Sequence, residues 1–487
     1  MMPQKLLGQP LTLLGLCITL LGAQASIAQT PRETAVIRVE SGKLIGEDQN
    51  SVRIYRGIPY AAPPVGDLRW AAPKPPLAWS GTRKALEFGK IFPQSDRRSD
   101  AGNQSEDALL LNVWAPANAK KAPVLVWFHG GGFIQNSGAD RRAEGRALAE
   151  RGVIAVTINY RLGALGLFAH PELTAASRAD EPLGNYVLLD MMQSLRWVRK
   201  NIAAFGGDPR NVTISGSSAG ATAILYLLGV RDADPLYDKA IVLHSGGFDN
   251  VLTLAKAEAA GLRLATELKV EPPGLAGLRA LPGSAFALGP ELTRRLELPV
   301  KPLVDGRLIT APISETFKAG RQKKLPLILG AANGESGARE YGDEIAVRGG
   351  FGFQLLLAEA MARSGQSPWM FHFTFVPPER PRTATHGEAV GYAFGNLSAN
   401  AVVPAKEMSQ AMMDYWVAFM RDGTPNPANR PQWTPFDLNQ RSVMVFGNQA
   451  IAVKSAPPSQ PGEVRPARRA PDGQEPWQRL RQRMQNQ

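Results

Sequence analysis

The pentapeptide Gly216-Ser217-Ser218-Ala219-Gly220 follows the apolar run Val212-Thr213-Ile214 and precedes the helix-like run Ala221 to Leu228. A strand, a sharp turn and a helix in that order form a nucleophile elbow, which lifts a serine Oγ out of the packed layer, here that of Ser218. Glycines at 216 and 220 let the backbone close so tight a turn without a Cβ clash. The pattern commits this stretch to a strand feeding directly into a helix. A lone GxSxG would be weak, so its neighbours decide how far it can be taken.

Those neighbours predict an α/β fold. From Val124-Leu125-Val126-Trp127-Phe128 onward, continuous apolar runs such as Val153 to Ile158 alternate with helical stretches. Runs of that kind belong to a mostly parallel sheet covered by helices on both faces. Leu188, Met191, Met192, Leu195, Val198 and Ile202 keep helical spacing. Alternation in Val36-Ile37-Arg38-Val39 and in Val52-Arg53-Ile54 predicts an N-terminal antiparallel hairpin. With 487 residues and 44% hydrophobic side chains the chain can bury a large core. No internal repeat divides it, and residues 29–454 read as one domain.

Both termini read differently. Lys5, an apolar stretch from Leu11 to Gly22 and small residues up to Ala28 resemble a secretory signal peptide, residues 1–28, cleaved near Ala28. Twelve apolar residues fall short of the roughly 20 that a spanning helix needs, so no stable membrane insertion is expected after cleavage. The single cysteine, Cys17, lies within that leader, and export to the periplasm or medium is expected without disulfides. Residues 455–487 are rich in Pro, Gln and Arg and have the composition of a disordered tail. The net charge is +12, but no basic helix, RNA-binding aromatic motif or zinc spacing accompanies it, so nucleic-acid binding is not expected.

A second chemical feature is His129-Gly130-Gly131-Gly132-Phe133, directly after an apolar strand. Consecutive glycines let backbone N–H groups point together at one spot, as an oxyanion hole demands. Alone this would be an ordinary glycine-rich turn. Beside an elbow it reads as the second half of an acyl-transfer site.

On these and further segments the chain resembles the type-B carboxylesterases, the α/β-hydrolase family that includes bacterial para-nitrobenzyl esterases and the cholinesterases. The further segments are Gly57-Ile58-Pro59-Tyr60-Ala61, Leu68-Arg69-Trp70, Ser105 to Trp114, Asn159-Tyr160-Arg161-Leu162-Gly163, Gly184-Asn185 to Asp190, and Phe205-Gly206-Gly207-Asp208-Pro209. The resemblance implies an α/β-hydrolase fold and a triad in the order Ser, Glu, His. Ser218 matches the nucleophile, Glu335 the acid and His386 the base, with Gly131, Gly132 and Ala219 donating the oxyanion-hole N–H groups. The usual Asp-Glu-Gly of the acid loop has become Gly334-Glu335-Ser336, so Glu340 and Asp343 stay open as alternatives. Of the five histidines, His129 belongs to the oxyanion turn, His170 to a loop, His244 replaces a Gln common at that strand end, and His372 sits in an alternating strand. That leaves His386 as the base.

The chemistry requires those roles. Serine is a poor nucleophile at its own pKa, so neutral imidazole must take its proton while a carboxylate fixes the tautomer and steadies the imidazolium. No metal or organic cofactor is implied, and the partner is a small-molecule ester. Relatives carry Glu before the nucleophile and again three residues after the histidine, where this chain has Ser217 and Ala389. The resemblance therefore implies neutral or anionic esters rather than choline esters. The short interval from acid to base implies a reduced helical lid and an open rim. The same triad serves amides, carbamates and polyesters, and this fold also occurs as a non-catalytic binding module. Sequence leaves the natural substrate and the oligomeric state open.

Overall fold

The computed structural model describes residues 32–95, 103–246, 252–335, 349–378 and 383–458. The expected leader, tail residues 459–487 and the alternative acids Glu340 and Asp343 lie outside the described residues.

The first strands in chain order are β1 (Arg32–Glu33), β2 (Ile37–Val39), β3 (Gly42–Ile45), β4 (Glu47–Gln49), β5 (Val52–Pro59), β6 (Thr82–Lys84) and β7 (Leu110–Pro116). Then follow β8 (Ala122–Phe128), β9 (Ile154–Ile158), β10 (Gly207–Ser217), β11 (Lys239–Leu243), β12 (Leu327–Ala332), β13 (Trp369–Phe373), β14 (Ser442–Phe446) and β15 (Ile451–Ser455). Twelve of them form one sheet, ordered β1-β4-β5-β7-β9-β8-β10-β11-β12-β13-β14-β15. The centre, from β9 to β14, is parallel, and both flanks are antiparallel.

The apolar runs are continuous because both faces of these strands are buried. On β8, Val124, Val126 and Phe128 enter the core beneath the helices Tyr186–Asn201 and Ala219–Leu227, while Leu125 and Trp127 enter the core beneath the helix Val403–Asp422. Alternate side chains leave a strand on opposite faces, so a strand between two helical layers needs apolar residues at every position. Each such large side chain, fully buried, stabilises the fold by about 1.5–3 kcal/mol. Among the described residues no helix is long and apolar enough to cross a membrane.

The antiparallel opening is present, as two hairpins rather than one. β2 pairs with β3 in a small separate sheet completed by β6, and β5 pairs with β4 in the large sheet. Between β4 and β5, Asn50 adopts φ 62°, a left-handed turn conformation that Asn tolerates. Each hairpin joins two strands adjacent in sequence, which closes a short loop and costs little entropy.

Buried ion pairs join segments well separated in the chain. Arg161 Nε and Nη2 donate to the Asp190 carboxylate at 2.9 and 2.7 Å, with both side chains almost fully buried. Arg69 grips Glu106 in the same forked manner, at 2.7 and 2.5 Å, and Arg69 also donates to the carbonyls of Leu278 and Leu281. These contacts account for four charged residues within the family-like segments.

The chain leaves β8, adds β9 on one side, and returns to place β10 on the other. Strand order reverses there, and in open α/β sheets a crevice forms at the carboxyl ends of the strands flanking such a reversal. The segments following β8, β10, β12 and β13 converge on that crevice.

Candidate active site

β10 ends at Ser217, and the helix Ala219–Leu227 begins two residues on, with Ser218 between them at φ 57° and ψ −119°. This is a strained conformation for a residue with a Cβ, of the sort that persists only where its surroundings enforce it. The Ser218 N–H donates to Leu243 O at 3.0 Å, and the Ser218 carbonyl accepts from Thr222 N–H at 2.8 Å, opening the helix. Ser218 is partly exposed while Ser217 and Ala219 on either side are buried. The helix presents the positive end of its dipole beside Ser218.

The turn after β8 packs directly against this elbow. A Cβ on Gly130 would stand 2.9 Å from Ser217 O and 3.1 Å from Ser218 Cβ. Gly131, Gly132 and Phe133 have φ of 114°, 64° and 61°. Successive left-handed residues turn their N–H groups toward a common side, making a concavity for an anion. Among the described residues, no hydrogen bond occupies the N–H of Gly131 or Gly132. The Ala219 N–H, first of its helix, has no intrahelical acceptor. His129 supports the turn: Tyr160 Oη donates to its carbonyl at 2.6 Å and the two rings stack at 4.2 Å. Burial pushes the His129 imidazole down to about 4, so it is neutral near pH 7.

Glu335 and His386 are joined by their backbones before their side chains meet. Gly334 N–H donates to Ala384 O at 2.8 Å, Ala384 N–H donates to Asn333 Oδ1 at 3.0 Å, and Gly334 and Thr385 form a parallel bridge. The loops after β12 and β13 are thereby zipped together. Glu335 Oε2 lies 2.6 Å from His386 Nδ1. Glu335 is 5% exposed, whereas the His386 side chain is 48% exposed. The neighbouring Gly387 closes on the elbow: a Cβ there would lie 4.0 Å from Ser217 Oγ.

Burial alone would raise the Glu335 carboxyl, but hydrogen bonds from His244 and His386 and their electrostatic pull outweigh it, bringing it down to about 2. Its hydrogen bond to Glu335 lifts the His386 imidazole above its ordinary value, against burial and the charge of Arg142. The helix Gly349–Arg363 begins against the acid, and a Cβ on Gly350 would stand 2.9 Å from Glu335 Cγ and 3.0 Å from Oε2. Arg142 lines the other side. Its Nε and Nη2 bind Asp140 at 3.2 and 2.7 Å, while Nη1 lies 3.7 Å from where a Gly387 Cβ would be.

All six residues expected from sequence thus lie at the carboxyl end of the sheet, with Glu335 and His386 in contact and the glycine turn against the elbow. Sequence reasoning missed His244, whose Nδ1 lies 2.6 Å from the other oxygen of Glu335. The available signal was its place at the end of β11, the strand between those carrying Ser218 and Glu335. Ligating atoms of His244, Glu335 and His386 lie within 4.8 Å of one another, as a metal set would. Both imidazoles already face the carboxylate through hydrogen bonds, and a cation there would have to displace both protons.

Comparisons with known proteins place the chain in a family. The model of the carboxylesterase family matches residues 33–344 and 353–461. The chain is 34% identical to fumonisin B1 esterase of Sphingopyxis macrogoltabida, over 88% of this chain and 90% of that one. It is 30% identical to para-nitrobenzyl esterase of Bacillus subtilis, over 87% and 97% of the two chains. Among solved structures, a carboxylesterase of Geobacillus stearothermophilus superposes with a TM-score of 0.74 at 29% identity, covering 87% of this chain and 98% of the other.

Proposed function

The chain belongs to the carboxylesterase family and is a carboxylic ester hydrolase, and we propose that it works through a Ser218-Glu335-His386 triad and an acyl-enzyme. The observation that carries this reading is the 2.6 Å contact of Glu335 Oε2 with His386 Nδ1, on loops that close against the Ser218 elbow. Ser218 Oγ attacks the ester carbonyl as His386 accepts its proton, and the ionised Glu335 steadies the imidazolium that results. The N–H groups of Gly131, Gly132 and Ala219 hold the tetrahedral oxyanion, each such donor stabilising the transition state by about 3 kcal/mol. His386 then protonates the departing alcohol. Water, activated by the same imidazole, releases the acid from Ser218.

Neutral and anionic esters are the preferred substrates. Ser217 and Ala389 leave no carboxylate beside His386 at those two positions, and Arg142 stands against the same loop. The fumonisin B1 and para-nitrobenzyl esterases it resembles support an organic ester as the substrate. The apolar leader before Ala28 supports export.

The test is hydrolysis of para-nitrophenyl acetate, butyrate and octanoate by the mature protein beside Ser218→Ala, with detection of a pre-steady-state burst. Turnover and burst should both vanish in the variant. Folded wild type that turns over none of the three, or a fully active Ser218→Ala, overturns the proposal.

A further inference from the structure

Glu335 accepts from two histidines, and only His386 has a role in the mechanism above. His244 follows β11 with φ 58°, its N–H donating to Gly330 O at 2.9 Å. Its side chain is fully buried, edge-on to Phe371 at 6.4 Å and to His386 at 5.6 Å. Nδ1 lies 2.6 Å from Glu335 Oε1, and Nε2 is buried with no hydrogen-bond partner among the described residues. The Ala332 N–H also approaches Nδ1, at a longer 3.2 Å.

Opposite an ionised carboxylate oxygen at 2.6 Å, Nδ1 must carry a proton, since two lone pairs at that distance would repel. A protonated Nδ1 has no in-plane lone pair left for the Ala332 N–H, so that 3.2 Å approach is not a hydrogen bond. A side chain placed there merely to fill space would be better served by an aliphatic group, which leaves no orphaned nitrogen behind. The ring is committed to one polar act, donation to Glu335. Two other polar groups nearby do not share it: Ser245 Oγ accepts from Gln354 at 2.6 Å, and both ring nitrogens of buried His372 lack partners among the described residues.

We propose that His244 is a positioning residue of the hydrolase site: its Nδ1–H holds Glu335 Oε1, and so fixes the plane in which Oε2 meets His386. A carboxylate held at one oxygen swings about its terminal torsion, which is broad and soft. Held at both, it presents Oε2 to Nδ1 of His386 in one orientation. The donor is invisible to substrate, so its loss lowers kcat and leaves KM in place. This inference rests on the assignment of Glu335 as the triad acid.

The experiment compares three replacements in the full-length mature enzyme, with kcat normalised to the folded fraction. His244→Asn puts an amide N–H where Nδ1 stands and tolerates positive φ. His244→Leu removes the donor, and His244→Asp is isosteric with Asn but opposes a second carboxylate to Glu335. Leu and Asp variants should lose about 10- to 100-fold in kcat on para-nitrophenyl butyrate with KM within about twofold, the scale set by small misplacements of catalytic groups. The Asn variant should recover to within about fivefold of wild type. In proton NMR, wild type should show two strongly downfield imidazole N–H signals, and His244→Asn only one. Asn no better than Asp overturns the inference, as does a folded Leu variant with wild-type kcat. If Leu does not fold, the Asn and Asp pair still decides. If Glu335→Gln keeps wild-type kcat, the triad assignment itself falls; if that variant is impaired while His244→Asp is not, only the role of His244 falls.

Discussion

Glu335 and His386 stand 51 residues apart in the chain, yet Oε2 of one lies 2.6 Å from Nδ1 of the other. Their backbones are bridged first, through Gly334 and Thr385. The bridge between the loops after the adjacent parallel strands β12 and β13 brings the two side chains within reach of each other.

This contact fixes the sign of the pH dependence. His386 is lifted above 6.5 chiefly by its hydrogen bond to Glu335, and it must be neutral to act as a base. The acid limb of kcat/KM should have its midpoint above 6.5, in profiles run from about pH 5 to about pH 9; a midpoint below 6.5 would contradict the pairing. For stability the two partners act oppositely. The His386 contribution is full below 6.5 and is lost as pH rises through the higher folded value. The Glu335 contribution is full above 4.5 and fades as pH falls toward about 2.

Gly350 is a sensitive point packed against Glu335. Its replacement by Ala would bring a Cβ to 2.9 Å from Glu335 Cγ and 3.0 Å from Oε2. The acid must shift, and kcat should fall by about tenfold or more, a 1 Å error being enough for that. Thermal unfolding should move little, since Ala suits a helix better than Gly by about 1 kcal/mol. A Gly350→Ala enzyme with wild-type kcat would mean that the acid has room to spare.

Arg142 should set the preference for charge. Reversing it with Arg142→Glu replaces attraction by repulsion at an exposed site, where a charge contact is worth about 1 kcal/mol. The kcat/KM ratio of a carboxylate-bearing ester to its neutral isostere should fall by about fivefold or more, and the gap should narrow in high salt. An unchanged ratio would show that the guanidinium does not meet the substrate.

The Arg161–Asp190 pair is a structural dependency. Both side chains are almost fully buried, and Asp190→Ala leaves a guanidinium without its partner. Removing one member of a buried pair costs about 3–5 kcal/mol, which chemical denaturation would read directly. A loss below about 1 kcal/mol would mean that Arg161 finds other acceptors, such as Ala71 O, already 2.9 Å away.

Much of this architecture was legible in the chain, because the features concerned are local. Gly216 to Gly220, the glycine run after His129 and the periodic stretch ending at Ile202 each depend on neighbours a few positions away, and each became the predicted element. The helix Val403–Asp422 also ends on a local signal, Gly423 with φ 79°, and Asn426 caps the backbone of buried Trp433. The N-terminal pairing was misread, because alternation identifies strands but carries no information about partners. Residues Val36 to Val39 and Val52 to Ile54 are equally well patterned for pairing with each other as for the separate hairpins they form.

What the sequence alone determined is the set of candidate groups and the elements that carry them: a serine on a strand-to-helix turn, a glycine turn beside it, and an α/β sheet of continuous apolar strands. Only the tertiary structure decided which charged and ionisable groups meet. Glu335 takes its second hydrogen bond from His244, 91 positions away, because β11 and β12 are neighbours in the sheet. Arg142 comes against Gly387 because the loops after β8 and β13 meet above the same crevice. Hydrogen bonds and ion pairs act over a few ångströms in space, and distance along the chain is silent about that until the strands are laid side by side.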